Sequence, residues 1–222
     1  MSGIEIAERL AGKHGGTWSS ADQGTILKLA VKMGVESANR GGVCWEVSRR
    51  WVQARVLGTW QAGVTIYDIL SPMKGGFEMD TDKIEELIRV HASRNTSGVG
   101  DNYKIAGLNN HPTLYRTYSC FGAGGLKSRE AVLRSIFETP GAYIFSFLAA
   151  TGGGHAIAFD TRAAPYAMMD PNSGDGTFAT ENNFKAFFTA YYGEAYKAEY
   201  TKGERELTRY TKGAVVNSLV GL

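Results

Sequence analysis

Apolar positions recur at helical spacing through the N-terminal part of the chain. They then give way to short runs rich in aromatic and β-branched residues. After Asp22, the residues Ile26, Leu27, Leu29, Ala30 and Met33 follow a helical period that Gly34 ends. Over 45–56 the pattern sets Cys44, Val47, Ser48, Trp51 and Val52 three and four residues apart, the clearest early helix. Over 81–92, Ile84, Leu87, Ile88 and His91 predict another, with Thr81 or Asp82 near its cap. Ser128 caps a further helix that turns Val132, Leu133, Ile136 and Phe137 inward, and Pro140 stops it.

The period then changes. Residues 142–148, 155–161 and 166–170 predict strands, separated by glycines 152–154 and by 162–165, and so an antiparallel meander. Phe184, Phe187, Phe188 and Tyr191 mark a helix apolar on one face, and 196–200 and 206–210 predict two last strands. A helical layer followed by an antiparallel sheet makes the fold class α+β. Residues 1–20, small and polar with Gly12, Gly15 and Gly16, are expected to form a flexible N-terminal segment, and 21–222 a single domain.

Composition narrows the function classes. A chain of 222 residues can bury one good core, and 43% hydrophobic with 21% charged residues argues against disorder. The balance of 24 basic and 22 acidic residues gives a net charge of +2 without a basic stripe, so nucleic acid is not an expected partner. Two cysteines, Cys44 and Cys120, make a poor disulfide scaffold and predict free thiols. The first eight residues lack a basic region followed by a long apolar run, so no secretory signal peptide is expected. No segment approaches the roughly 18 apolar residues of a membrane span.

Candidate chemistry centres on Cys44. It follows Gly41-Gly42-Val43 and opens a helix, where unpaired N–H groups and the helix dipole favour a thiolate. Downstream, Gly154-His155-Ala156-Ile157 and Met169-Asp170-Pro171-Asn172 supply a histidine and an aspartate. Cys, His and Asp in that order suit a thiol hydrolase: nucleophile, proton carrier and orienting carboxylate. Folding 155–170 as a hairpin centred between Arg162 and Ala163 pairs His155 with Asp170, Ile157 with Met168 and Phe159 with Tyr166. Asp160 is a poorer orienter, because its odd spacing from His155 puts it on the other face. Asn39 is either an oxyanion donor or a helix C-cap. Cys120 has no comparable context. His14, His91 and His111 fit no zinc spacing, so neither metal nor cofactor is expected. The glycines of 122–127 lack the spacing of a phosphate loop.

The Cys44-Trp45 pair after a glycine-rich turn is similar to a papain-type nucleophile helix. The stretch from Gly154 to Asp160, then Met169-Asp170-Pro171-Asn172-Ser173-Gly174 and Phe178, resembles the YopT/AvrPphB-type cysteine proteases of bacterial effectors. The resemblance covers 40–194, with its specificity in those two blocks; 57–140 carry no matching motif. It implies a papain-like domain over 21–222, with a helical layer on a central antiparallel sheet. It implies Cys44 as nucleophile, His155 as general base and acid, Asp170 as orienter and Asn39 in the oxyanion hole. A protein substrate cleaved in a target cell is implied too, with secretion that needs no signal peptide and a cytoplasmic location in the producing cell. It leaves room for a secretion chaperone, adaptor or immunity protein as a further partner. One departure is Ser173-Gly174-Asp175-Gly176, which reads as flexible. The same side chains could serve a thiol amidase (of peptidoglycan, for instance), a transglutaminase or a deamidase. A papain-fold binding module with a decayed site is the non-enzymatic alternative.

Overall fold

The computed structural model describes residues 2–36, 42–60, 73–74, 78–94, 105, 108–115, 126–148, 154–196 and 205–212. Among these, the chain runs α1 (Gly3–Lys13), β1 (Gly16–Ser20), α2 (Gln23–Lys32), α3 (Cys44–Leu57), β2 (Met73–Lys74), β3 (Glu78–Met79) and α4 (Thr81–Arg94). It continues β4 (Leu108–Tyr115), α5 (Leu126–Glu138), β5 (Ala142–Leu148), β6 (Gly154–Asp160), β7 (Tyr166–Asp170), β8 (Gly174–Phe178), α6 (Glu181–Ala195) and β9 (Arg205–Lys212). Seven strands form one antiparallel sheet in the order β1-β8-β7-β6-β5-β9-β4, and β2 pairs with β3 apart from it.

Strand alternation divides the interior. Ile144, Ala156, Ala158, Ala167 and Met169 pack on one face with Ile26, Leu27, Val47, Trp51, Val52, Ile84 and Leu87 of α2, α3 and α4. Phe145, Phe147, Ile157, Phe159 and Met168 pack on the other with residues of α1, α5 and α6. The small side chains of β6 on the first face let α3 lie close. The second face is mostly aromatic, which is why α6 reads as a Phe/Tyr stripe. The α+β architecture expected from the pattern is the one observed, with helices on both faces of the sheet.

Three expectations need correction. Residues 1–20 are not a flexible segment: α1 buries Ile6, Ala7, Leu10 and Ala11, and β1 forms an edge of the main sheet. Ser2 and Glu5 close a capping box over the start of α1, each side chain accepting from the other's backbone N–H. Ser173-Gly174-Asp175-Gly176 is not loose either, because β8 is bound on both sides, by β7 and β1. Its glycines serve close approach. A Cβ at Gly174, where φ is +125°, would stand 2.0 Å from the Ser19 carbonyl, and one at Gly176 2.4 Å from that of Thr17.

The third correction concerns the hairpin. β6 and β7 pair Ala158 with Met169, Phe159 with Met168 and Asp160 with Ala167, two residues away from the expected register. The expected one would have drawn Pro165 into the ladder, where it has no N–H to donate; β7 starts after it, at Tyr166. A shift of two keeps every side chain on its face. Asn39, Cys120, the glycine-rich 122–125 and the strand expected over 197–200 lie outside the described residues.

Candidate active site

Cys44 is the first residue of α3, and the helix runs beside β6 in the same direction. Ser48 Oγ donates to the Ala156 carbonyl at 3.1 Å, and Arg55 Nε to Asp160 at 2.7 Å. A helix rises about 1.5 Å and a strand about 3.3 Å per residue, so 44–55 and 154–160 span similar lengths, roughly 16 and 20 Å. That match brings Cys44 to the start of β6. Its sulfur lies 4.0 Å from the Gly154 carbonyl and also interacts with the Ala156 N–H and the His155 ring.

His155 and Asp170 close the site from the α6 face. His155 Nε2 lies 2.8 Å from Asp170 Oδ1, both side chains buried, which leaves Nδ1 as the ring nitrogen for Cys44. The imidazole stands edge-on to Phe147 and tilted against Tyr196. Asp170 ends β7, and its carboxylate is held by several donors. Oδ1 also accepts from the Asn172 N–H at 2.9 Å, and Oδ2 accepts from Tyr191 at 3.1 Å and from Tyr196. Tyr191 bonds in turn to Ser173 at 2.7 Å. A buried carboxylate with this many donors has no freedom to turn away from the ring.

The electrostatics follow from these contacts. Burial pushes the Cys44 thiol up, but bonding to His155, its charge, and the N–H groups of Ala156 and Trp45 outweigh it, so the thiol sits below its ordinary value. Burial pushes the imidazole down, but the charge and hydrogen bond of Asp170, helped by Cys44, raise it above the usual histidine range. Asp170 is opposed by burial and held below the carboxylate range by His155, Tyr196 and Asn172. Burial and the Asp170 charge keep Tyr191 and Tyr196 protonated far into base, so both stay donors. An imidazole that holds its proton beside a thiol that yields one favours a thiolate–imidazolium pair, the nucleophilic form of cysteine.

Cys44, His155 and Asp170 are therefore brought together, and Asp160 is not part of the group. Asp160 lies on the α3 face, bound by Arg55 at 2.7 Å and by Arg162 at 2.8 and 2.9 Å. Glu46, fully buried two residues past Cys44, has its carboxylate bound by Arg49 and Arg50. Among the described residues no group of three or more His, Cys, Asp or Glu side chains is arranged to hold a metal.

Sequence reasoning missed Gln23, Tyr191 and Tyr196 as parts of the site. Tyr191 sits in an aromatic stripe whose hydroxyls look incidental. Tyr196 reads as the start of a strand but caps α6. Gln23 follows Asp22, whose capping bonds to Gly24 and Thr25 account for the signal there.

The fold has a match among solved structures. The avirulence protein AvrPphB of Pseudomonas superposes with a TM-score of 0.54 at 14% identity, covering 76% of this chain and 91% of that one. A ubiquitin-specific protease encoded by murine cytomegalovirus, solved with a ubiquitin-based suicide substrate, superposes with a TM-score of 0.36 at 10% identity, over 81% and 79% of the two chains. No curated protein matches the sequence. The model of a family described as Yersinia/Haemophilus virulence surface antigen matches residues 13–211, and with nearly the whole chain inside it this protein belongs to that family, Peptidase_C58, the cysteine peptidases of YopT/AvrPphB type.

Proposed function

We propose that the chain is a cysteine endopeptidase of bacterial effector type, with Cys44 as nucleophile, His155 as proton carrier and Asp170 as orienter. The observation that carries this reading is the Cys44 thiol at the head of α3 within electrostatic reach of the His155 ring, which is itself held 2.8 Å from a carboxylate with no room to move. The thiolate attacks a peptide carbonyl. The imidazolium then gives its proton to the leaving amine, and an acyl-enzyme forms. A water, deprotonated by the now neutral imidazole, attacks the thioester; the sulfur leaves as thiolate, the acid product departs and the thiolate–imidazolium pair is restored. Thiol, imidazole and carboxylate suffice for these steps. The Cys44 N–H, free of any intrahelical partner, faces the developing oxyanion, with Asn39 as the second donor.

The substrate class is a protein in a target cell, as membership in a virulence family supports. No described helix is long and apolar enough to cross a membrane. The test is a proteome-wide comparison of new N-termini in cells expressing the protein or its Cys44→Ala variant. New termini confined to the wild type are expected. Equal termini in both, or glutamine deamidation and amine cross-links without new termini, would replace the protease reading.

A further inference from the structure

We propose that Gln23 is a positioning residue for Cys44, performing from another helix the capping that α3 cannot supply for itself; this rests on Cys44 being the nucleophile. α3 starts with Val43 as N-cap, which makes no side-chain capping bond. In a capping box, the residue three beyond the N-cap accepts from the N-cap N–H. Here that residue is Glu46, and its carboxylate is occupied by Arg49 and Arg50. Gln23 takes over the task. Its Oε1 accepts from the Val43 N–H at 2.8 Å, and the side chain is buried. The absence of a Ser, Thr or Asp cap weakens the start of the helix. The Trp45 N–H, which a capping oxygen would compete for, instead helps to hold the Cys44 thiol below its ordinary value.

The same amide reaches the other half of the site. Gln23 Nε2 donates to Asn172 Oδ1 at 2.6 Å, and its backbone N–H to the Pro171 carbonyl at 2.8 Å. Asn172 donates its own N–H to Asp170 Oδ1. One side chain therefore ties the residue before the nucleophile to the turn that holds the orienting carboxylate. The two come from segments more than a hundred residues apart, and their relative position sets whether sulfur and imidazole meet. Gly42 makes room for the brace: a Cβ there would come within 3.2 Å of Gln23 Oε1. An apolar residue at 23 would leave the Val43 N–H unpaired and uncouple the two segments, and a displacement of about 1 Å at a reacting group can cost roughly a hundredfold.

The test is the rate at which iodoacetamide alkylates Cys44, followed by mass spectrometry between about pH 4 and 10. Wild type, Gln23→Met, His155→Ala and Asn172→Ala are compared, with Cys44→Ala as the site control. Gln23→Met keeps length and flexibility while removing the amide. It is expected to lower the rate at neutral pH about tenfold or more and to move the acid limb up toward the roughly 8.5 of a free thiol. Asn172→Ala, at an exposed residue, breaks the chain at its other end and should lower the rate in the same direction; in the double variant the losses should not add. A Gln23→Met profile that superimposes on the wild type overturns the proposal. Should that variant not fold, an Asn172→Ala profile unchanged from wild type overturns it instead. Failure of the underlying reading looks different: there, His155→Ala itself keeps the wild-type profile.

Discussion

Asp170 meets His155 diagonally across the β6–β7 ladder, Oδ1 2.8 Å from Nε2, and not as its facing partner. The strands pair two residues out of the register in which they would face, so the carboxylate reaches along the strand as well as across it. That reach is fixed by Tyr191, Tyr196 and the Asn172 N–H on its other lone pairs. Asp170→Asn keeps the shape and removes the charge. It is expected to lower alkylation and turnover about 10- to 100-fold at neutral pH and to bring the alkaline limb down toward the ordinary imidazole value of about 6.5. His155→Ala, which removes the proton carrier itself, is expected to cost about a thousandfold or more. Paired pH–rate profiles check both. An Asp170→Asn limb that stays at the wild-type position sinks the orienting role.

The same contact makes stability depend on pH. His155 is raised from an ordinary value of 6.5 to about 10 in the folded protein, with burial opposing and the charge and hydrogen bond of Asp170 prevailing. A group bound more tightly to its proton when folded contributes stability that is whole below its unfolded value. That contribution is lost as pH rises through the folded one. The window thus runs from 6.5 up through about 10. Asp170, lowered, contributes in the opposite direction: its share is whole above the ordinary 3.8 and is lost in acid. Cys44, also lowered, runs against His155; a Cys44→Ala background removes it together with the part of the His155 shift that Cys44 supplies, so the upper end of the window there lies lower. Tyr191 and Tyr196 ionise well above 10, outside the window. In that background, the denaturation midpoint of the His155-containing protein is expected to fall relative to His155→Phe from neutral to alkaline pH. A gap that stays constant across the window contradicts the assignment.

Asp160 is the control carboxylate. It is as buried as the active-site groups but belongs to the opposite face of β6, where Arg55 and Arg162 bind it and Arg162 also donates to the Arg55 carbonyl. Asp160→Ala leaves Arg55 and Arg162 without the carboxylate that binds them both. It should cost about 1–3 kcal/mol of stability. The rate of Cys44 alkylation per folded molecule should stay within about twofold, because nothing in this cluster touches the His155 ring. Chemical denaturation and thiol titration on the same sample separate the two effects. A loss of reactivity with unchanged stability would falsify the division between the faces.

What could be read from the sequence follows from where the information is local. α3, β5, β6, β7 and α6 carry strong periodicity, and the Cys44, His155 and Asp170 blocks sit at their ends, so the site was legible before its geometry was. Register was less so, since a proline such as Pro165 marks where a ladder stops but not how the strands re-pair beyond it. The hydroxyls of Tyr191 and Tyr196 were illegible, because an aromatic stripe looks the same whether or not its oxygens face a carboxylate. Gln23 was illegible for a different reason: its partners, Val43 and Asn172, are set by tertiary packing alone. α1 is legible in its capping box and its Ile6, Ala7, Leu10, Ala11 spacing, against which three glycines in the same stretch argue.

That N-terminal segment yields the last prediction. α1 buries Ile6 and Leu10 against the α6 face, and side chains of this kind contribute about 1.5–3 kcal/mol each. β1 covers the edge of β8 through five residue pairs, and Trp18 Nε1 and the Ala21 N–H both donate to the Ser173 carbonyl in the turn after Asp170. Deleting 2–20 removes the helix, the strand and the Trp18 bond, leaving only that of Ala21, and exposes an apolar face and an open strand edge. Against a typical domain stability of about 5–15 kcal/mol, the loss should leave no cooperative fold and favour aggregation. Leu10→Ala is the milder probe, expected to cost about 2–4 kcal/mol while leaving Cys44 reactivity in the folded fraction intact. Circular dichroism melting and iodoacetamide labelling check both variants. A deletion variant that melts cooperatively and still labels rapidly at Cys44 shows that the segment is dispensable, as its small polar residues first suggest.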